Sequence, residues 1–269
     1  ASRGIGKAIT EDFIRKAEFD VMAIVRTPSL AEHLRDEWAM LNPACRLVIK
    51  VADFSDADAV QTLCHDLGKT QNLALLINNA GIFMPGTTDI EYQNLLDMTE
   101  VNFFAPFLLT QAVSHAMQKN KQGYIINIAS NAARRAISGI GAYSASKHAL
   151  LGLSSSLMLE LLPHNIKVTN INPGFTNTDM TRHFPNLADD EKIQPQDIVN
   201  CISFLLSLSP GAIIPNIDVE WALLNKSNLD KTSGCQPFTQ AIRTLSGMPA
   251  RVILFKARIM AIASPTCAS

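Results

Sequence analysis

The sequence has few cysteines, few aromatic residues and no excess of charge of either sign. Its 269 residues include five cysteines, which lie far apart and form no Cys-x-x-Cys pair. A zinc site or a disulfide framework is therefore not expected, and incidental thiols in a reducing cytoplasm are the better interpretation. The six histidines are scattered as well, so no metal site is predicted. A net charge of −1 provides no basic surface of the kind that binds nucleic acid.

Long hydrophobic runs are also missing. No apolar run approaches the roughly 20 residues that a helix needs to cross a bilayer. The first eight residues lack the apolar segment of a signal peptide. We therefore expect a cytoplasmic protein without a membrane association. Because 47% of the residues are apolar, the chain is long enough for one domain with a large buried core.

Apolar runs alternate with stretches of helical period, which is typical of a doubly wound, Rossmann-like α/β fold with a parallel sheet. Most runs are rich in Val and Ile and apolar on both faces, as expected for parallel strands covered by helices on each side. The predicted strands are residues 21–25, 46–52, 73–78, 124–130, 166–172 and 212–219. The predicted helices are residues 4–17, 29–41, 56–67, 88–119, 139–162 and 196–207.

Both ends of the chain depart from this alternation. The sequence opens on ASRGIGKAI, a glycine turn entering a helix, without the first, central strand that normally precedes such a turn. Its absence is expected to expose the edges of two neighbouring strands. The alternation stops near Leu224, which predicts a domain over residues 1–224 and an extension over residues 225–269. For the apolar-basic stretch at 251–263, an irregular or out-of-frame end and a membrane-surface or partner-binding helix are the two interpretations.

The opening stretch SRGIG places Gly4 and Gly6 in a turn that enters a helix. At such a turn the backbone can approach a pyrophosphate, which the N–H groups of the first helical turn hold. Glycines also open helices for packing reasons alone. This pattern by itself is therefore weak evidence for a nucleotide site.

Two further polar signals follow predicted strands. Asp53 is expected either to accept a hydrogen bond from an adenine amino group or to cap the next helix, as Ser55 also could. Asn78 and Asn79 close an apolar strand, where buried amides need hydrogen-bond partners. Gly81 then indicates that another group comes close to the backbone; the alternative, an asparagine-rich turn, fits a lone asparagine better than this whole string.

A serine, a tyrosine and a lysine form the most informative pattern. Ser130 ends a predicted strand, Tyr143 follows thirteen residues later, and Lys147 lies four residues further on. The spacing of four places Tyr143 and Lys147 on one face of a helix. We expect the ammonium to lower the pKa of the phenol toward the working range. Ser130 lies at the edge of the sheet where ligands bind, so the three residue types fit proton transfer at a carbonyl oxygen.

These motifs follow one order along the whole α/β part, together with NPGFTNTDM at 172–180. The chain resembles the short-chain dehydrogenase/reductase family, and its subtype looks like the 3-oxoacyl-acyl-carrier-protein reductases and related carbonyl reductases. SRGIGKAI, YSASK and PGFTNTDM carry this subtype resemblance. Relatives commonly finish with a glycine pair after the last strand, where this chain reads NIDVEWALL. Residues 180–193, which are expected to cover the substrate, do not identify it.

The resemblance implies roles for individual residues. Tyr143 is expected to be the general acid or base, Lys147 to tune it and hold the nicotinamide ribose, and Ser130 to orient the substrate. Asn102 is expected to support a water in a proton relay, although Ala105 stands where the family has glycine. Besides Tyr143 and Lys147, cofactor contacts are implied for Gly4, Ile5, Gly6, Asp53, Asn79, Gly81, Pro173, Gly174 and Thr178.

The choice of cofactor has a physical argument. An acidic residue ending the second strand of such a fold binds the ribose 2′-hydroxyl and repels a 2′-phosphate. This chain has Arg26 at that position and Arg3 just before the first glycine. Because guanidinium groups suit phosphate, we expect NADP(H) rather than NAD(H), unless one or both arginines point into solvent.

Together the residues predict an oxidoreductase that transfers hydride between NADP(H) and a small-molecule carbonyl or secondary alcohol. The alternatives are a non-catalytic cofactor-binding or scaffold member, and an inactive fragment. Binding of an acyl-carrier protein would need a basic patch, for which Arg134 and Arg135 are the candidates. We expect a homodimer or homotetramer that assembles through the two long helices at 88–119 and 139–162.

Overall fold

The computed structural model describes residues 1–70, 72–182 and 188–222. In these ranges, α-helices and parallel β-strands alternate along the chain. The helices are α1 (Gly4–Lys16), α2 (Pro28–Ala39), α3 (Ala57–Gly68), α4 (Tyr92–Thr99), α5 (Ala105–Asn120), α6 (Gly141–Leu161) and α7 (Pro195–Ser207). The strands are β1 (Val21–Val25), β2 (Leu47–Val51), β3 (Leu75–Asn78), β4 (Gly123–Ile128), β5 (Ile166–Pro173) and β6 (Asn216–Val219).

The strands form two parallel sheets. One has the order β1-β2, and the other has the order β3-β4-β5-β6. The prediction of an α/β fold with parallel strands is confirmed, and the expected exposure of two strand edges corresponds to the gap between the two sheets. Among the described residues no strand pairs with both β1 and β3, so the hydrogen-bond ladder is interrupted there. The ammonium of Ala1 donates to the carbonyl oxygen of Ile24 in β1 at 2.9 Å.

Helices cover both faces of the larger sheet. On one face, α1 and α7 bury Ile9, Ile198 and Ile202 against β4 residues such as Ile126. Core residues of the other face come from α3, α5 and α6, with Leu63, Leu109 and Leu161 clustered around β4 and β5. Because neighbouring residues of a strand point to opposite faces, such strands must be apolar on both.

The first turn of α3 corrects one sequence prediction. The cap is Asp56, whose carboxylate accepts from the backbone N–H groups of Asp58 at 3.0 Å and Ala59 at 3.2 Å. Asp53 instead accepts from the backbone N–H and the hydroxyl of Ser55, at 3.0 and 2.8 Å. Asp53 and Ser55 therefore form a local turn ahead of the helix, and neither caps it.

The predicted helix at 88–119 is interrupted. It consists of α4, a π-helical turn over Glu100–Phe104, and α5. Proline at 106 explains the interruption, because its nitrogen has no proton to donate to the carbonyl four residues earlier, that of Asn102. The insertion of one residue into the turn therefore falls on a predicted site residue, as such insertions often do.

The predicted domain boundary at 224 and the extension at 225–269 lie outside the described residues, as does the stretch at 251–263. They remain predictions. In the described part of the chain, no helix combines the length and apolarity needed to span a membrane.

Candidate active site

Ser130 lies at the carboxyl end of β4. The strand's last ladder bond runs from the N–H of Ala129 to the carbonyl oxygen of Ile171, at 2.8 Å. Ser130 then caps a short 3-10 turn over Asn131–Ala133, and its hydroxyl oxygen accepts from the N–H of Ala132 at 3.1 Å. The strand and this turn together fix the hydroxyl at the edge of the sheet.

Tyr143 and Lys147 both point from the first turns of α6 into the protein. Their exposed fractions are 8% and 3%, and the lysine Nζ lies 5.9 Å from the centre of the phenol ring. The ring of Phe83 packs edge-on against the phenol at a centroid distance of 5.2 Å. The start of α6 is held by a hydrogen bond from the N–H of Gly141 to the hydroxyl of Thr87 at 2.8 Å. The predicted shared helix face is therefore present, and it faces Ser130.

Burial decides the electrostatics of this pair. It raises the pKa of Tyr143, and a hydrogen bond with Ser130 only partly opposes that shift. Burial also lowers the pKa of Lys147 from 10.5 to about 8. Its ammonium donates to the carbonyl oxygen of Ile128 at 3.3 Å. The expectation that Lys147 lowers the pKa of Tyr143 is thus wrong for this structure, because loss of water disfavours the charged form of both groups.

Asn102 connects three parts of the site. Its amide donates to the carbonyl oxygen of Ile82 and to the hydroxyl of Ser146, both at 3.0 Å. Its side-chain oxygen accepts from the N–H of Ile82 at 2.9 Å. A Cβ atom on Gly81 would lie 3.3 Å from the Nζ of Lys147 and 3.4 Å from the Oδ1 of Asn102. The four predicted catalytic residues therefore surround one region at the carboxyl edge of the larger sheet.

Three segments meet at the glycine turn that begins α1. Gly4 has φ +52°, and a Cβ atom there would lie 3.0 Å from the Cγ2 of Thr178. A Cβ atom on Gly6 would lie 2.5 Å from the amide nitrogen of Asn79. The N–H groups of the first helical turn have no partner within the helix. A side chain at either glycine would press on Asn79 or Thr178, so the glycines let these segments pack closely around the helix start. This cradle, formed by Gly4, Gly6, Asn79 and Thr178, suits a phosphate of a dinucleotide because those N–H groups are available to it.

The remaining predicted cofactor contacts belong to different parts of the fold. Ile5 packs partly buried against the core of the larger sheet. Pro173 ends β5, and Gly174 donates to the carbonyl oxygen of Val219 at 2.8 Å. Gly81 adjoins Lys147, as described above.

The two predicted phosphate-binding arginines have different surroundings. Arg3 lies beside the glycine turn, and its guanidinium forms an ion pair with Asp179 at 3.7 Å, with 69% of its side chain exposed. Arg26 is exposed at the carboxyl end of β1, next to the end of β2 that leads to Asp53. No hydrogen bond or ion pair among the described residues joins Arg26 or Asp53 to the cradle.

Sequence reasoning missed the residues that follow β6. Trp221 packs against Gly174, where a Cβ atom would lie 2.7 Å from the indole and 3.1 Å from the amide of Asn131. The ring of Phe175 meets the indole at a centroid distance of 4.8 Å and an angle of 78°. The only signal in the sequence was the bulky pair Glu220–Trp221, which stands where the resemblance predicts glycines.

Arg134 and Arg135, the candidates for a carrier-binding patch, are both paired with acids. Arg134 lies 3.5 Å from the carboxylate of Asp218, and Arg135 lies 3.2 Å from that of Glu220. The guanidinium of Arg135 also lies over the Trp221 ring, 5.6 Å from its centre. Because each cation has an anionic partner, the two arginines do not form the basic patch that the carrier hypothesis requires.

The family model of the short chain dehydrogenases matches residues 1–187. The chain belongs to this family. A β-ketoacyl-acyl-carrier-protein reductase from Bacteroides thetaiotaomicron has a similar structure, with a TM-score of 0.71 and 32% identity over 86% of this chain and 96% of that chain. A metagenomic short-chain oxidoreductase solved in complex with NADP has a TM-score of 0.68 and 27% identity, over 82% of this chain and 94% of the other.

Curated relatives of this short-chain dehydrogenase carry different names. Dehydrogenase/reductase SDR family member 7B of Xenopus tropicalis is 36% identical over 135 residues. That match covers 49% of this chain and 43% of the relative, so it spans less than half of that protein. D-erythrulose reductase of Gallus gallus is 32% identical, over 77% of this chain and 85% of that protein.

Proposed function

We propose that this short-chain dehydrogenase interconverts a carbonyl compound and a secondary alcohol, with NADP(H) as the cofactor. The observation that carries the proposal is the convergence of Ser130, Tyr143 and Lys147. The buried phenol is hydrogen-bonded to Ser130, while the lysine Nζ lies 5.9 Å from its ring. A proton donor, a hydroxyl that can hold an oxygen and a buried cation suit chemistry at a carbonyl.

The nicotinamide, when bound, supplies the hydride. The protein's own contribution begins with Ser130, whose hydroxyl positions the carbonyl oxygen beside the phenol. Tyr143 then protonates that oxygen. Because burial raises its pKa, the phenol is protonated at neutral pH, which is the form that reduction needs and oxidation does not. Lys147, buried beside the phenol with its Nζ 5.9 Å from the ring centre, would hold the ribose of the cofactor.

Asn102 acts in this proposal as a positioning residue. Both its amide protons and its side-chain oxygen are used in bonds to Ile82 and Ser146. The side chain therefore fixes the loop after β3 against α6. Its backbone carbonyl has no α-helical donor, because residue 106 is proline, and it is the group suited to hold a relay water.

Three observations support NADP(H) as the cofactor. The glycine cradle fits a phosphate, Arg3 adjoins that cradle, and Arg26 replaces the acid that would repel a 2′-phosphate. The similar metagenomic oxidoreductase was solved with NADP, which agrees with this choice.

Oxidation of NADPH by the full chain in the presence of ketones tests the function, with the loss of absorbance of NADPH as the readout. Tyr143→Phe is expected to lower kcat by at least about a hundredfold, since it removes the proton donor. The variant should bind NADPH with a Kd within about twofold of the wild type, because phenylalanine differs from tyrosine only by the phenol oxygen. Full turnover by Tyr143→Phe would contradict the mechanism. Tight NADPH binding by the wild type without turnover of any carbonyl would instead support the non-catalytic alternative.

A further inference from the structure

The carboxyl edge of the larger sheet carries an aromatic residue that the catalytic chemistry does not use. The pairing of Pro173 with Val219 and the bond from Gly174 to Val219 bring the chain after β6 beside the end of β5. Trp221 follows two residues later and packs on Gly174. Ligands of open α/β sheets bind outside this edge, so the indole borders the region in which a substrate must lie.

The indole is positioned close to the catalytic serine. Asn131, the residue after Ser130, lies with its amide nitrogen 3.4 Å from the carboxylate of Glu220. The same amide nitrogen and the indole both lie beside Gly174, 3.1 and 2.7 Å from the position that a Cβ atom there would take. The contacts of Asn131 therefore link the serine to Trp221 through a single residue, while the indole itself stays partly exposed.

The charged side chains around the indole are paired with one another. Arg135 pairs with Glu220, and Arg134 pairs with Asp218, which also accepts from the amide of Asn172 at 2.8 Å. A charged group of a substrate would have to compete with these pairs. An uncharged group meets no such cost, since it can pack against the part of the indole that the Arg135 guanidinium, 5.6 Å from the ring centre, leaves exposed.

The other side of the catalytic phenol is apolar. Phe83, Met84 and Ile140 pack in one cluster with Tyr143. A carbonyl held between Ser130 and Tyr143 would thus lie beside these apolar side chains, while the indole borders the same edge of the sheet beyond Asn131. Aromatic rings gain more from such an indole than alkyl chains of equal size, because their quadrupoles add to the burial of apolar surface.

We propose that Trp221 is a specificity-determining residue of this site and that it selects uncharged ketones with a planar aromatic substituent. The inference rests on the carbonyl reduction proposed above. Phe175, whose ring meets the indole at 78°, holds the indole in place.

The test compares two methyl ketones with the same number of carbon atoms, acetophenone and 2-octanone, using the full chain and NADPH. Trp221→Leu is expected to raise KM about tenfold for acetophenone and less than about twofold for 2-octanone, since it removes the ring but keeps an apolar side chain. Trp221→Phe, which retains a ring, should keep most of the preference. Phe204→Leu is the matched control, because it removes a half-exposed ring on α7.

An equal change of KM for both ketones in Trp221→Leu, or no change, would overturn the proposal. The Kd for NADPH separates selectivity from misfolding, and it should match the wild type. If Trp221→Leu fails to bind NADPH, Phe175→Leu replaces it, and a selective rise of KM for acetophenone of about threefold is then expected.

Failure of the proposed function has a different signature. If the wild type binds NADPH but reduces neither ketone, the proposal of carbonyl reduction is wrong. The role of Trp221 is then decided by calorimetry on the complex with NADP⁺. Tighter binding of acetophenone than of 2-octanone that disappears in Trp221→Leu supports the inference, and equal binding of both ketones by wild type and variant overturns it.

Discussion

At the scale of single residues, the buried ionisable side chains of the catalytic region lower the stability of the fold. Lys147 is buried with one hydrogen bond, to a backbone carbonyl, and its lowered pKa measures the cost of keeping its charge away from water. Tyr143 shows the same effect with the opposite sign of shift, since its charged form is the phenolate. Such costs are typical of sites built for chemistry, where stability is lower than packing alone would allow.

We expect Lys147→Met to abolish turnover and to stabilise the protein at pH 7. The shift of the lysine pKa from 10.5 to about 8 corresponds to about 3 kcal/mol, from which the lost hydrogen bond must be subtracted. The free energy of unfolding, measured with guanidinium chloride, should therefore rise by about 1 to 3 kcal/mol. Lys119→Met, at an exposed position, should change it by less than about 0.5 kcal/mol.

The stability of the wild type and of this variant should depend differently on pH. Between about 8 and 10.5 the unfolded lysine binds a proton that the folded one has lost, so the stability of the wild type rises with pH in that window. The advantage of Lys147→Met should accordingly shrink as the pH rises through it. A constant difference from pH 7 to pH 10 would show that the gain comes from packing.

Arg26 and Arg3 allow a second test on single residues. Arg26→Gln and Arg3→Gln should each weaken NADPH binding about tenfold and leave NADH binding within about twofold, because only NADPH carries the 2′-phosphate. Fluorescence titration with each cofactor provides the measurement. Arg35→Gln, at an exposed position of α2, is the control. An equal loss of affinity for both cofactors would show that the arginines support the fold and do not bind the 2′-phosphate.

At the scale of elements, the break between α4 and α5 is the feature most closely tied to function. Pro106 leaves the carbonyl of Asn102 without its usual helical donor, and the π-helical turn Glu100–Phe104 places the side chain of Asn102 against Ile82 and Ser146. One proline thus determines both the course of the helix and the position of a site residue.

Pro106→Ala is expected to lower kcat about tenfold while the Kd for NADPH stays within about twofold. Alanine restores the missing N–H, so the turn can relax toward an α-helix and move Asn102 away from its partners. Thermal stability should be unchanged or higher, because alanine favours helix more than proline does. Pro195→Ala, at the start of α7, is the control. A loss of kcat of equal size in that variant would show that the effect is not specific to Pro106.

These elements also show what the sequence could predict. The strands were found because parallel strands with two covered faces are apolar throughout, and the range 21–25 matches β1. Residues 212–215 were assigned to the last strand, but they precede β6, which begins only at Asn216. The π-helical turn was missed because the apolar period continues through it. Trp221 was missed because only tertiary contact with Gly174 places it at the site.

The pKa shifts show a second limit. The spacing of Tyr143 and Lys147 correctly predicted a shared face, but the direction of the phenol's shift depends on how much water each group loses. Burial is a property of the assembled site, not of local sequence. The pairing of Arg134 and Arg135 with acids after residue 217 is likewise a long-range contact that no local pattern reveals.

At the scale of the whole molecule, side-chain packing joins what the hydrogen-bond ladders leave separate. Ile9 of α1 packs in the core of the larger sheet, whereas Ile14 of the same helix packs in the core under β1 and β2. Met22 and Ile24 of β1 contact the cluster that also contains residues of α3 and α5. The two sheets are thus coupled by α1 and β1, each of which contributes residues to two cores.

The outer surfaces of α5 and α6 expose several large apolar side chains. Phe104 and Phe107 near the start of α5 are 41% and 39% exposed, and Leu159 and Leu162 near the end of α6 are 72% and 42% exposed. Exposed apolar residues in such number are typical of an interface between copies of a chain. We therefore expect a homodimer or homotetramer in light scattering at micromolar concentration.

The double variant Phe107→Glu, Leu159→Glu should be a monomer, because burying two unpaired carboxylates in the interface costs several kcal/mol. Its Kd for NADPH should stay within about twofold of the wild type, since neither residue adjoins the glycine cradle. Met40→Glu, which adds a carboxylate at an 83% exposed position after α2, is the control and should keep the wild-type mass. A wild type of monomer mass would contradict the proposal outright. An unchanged mass in the double variant would show that the interface lies on another surface. The half-exposed Phe204 on α7 marks the next surface to test.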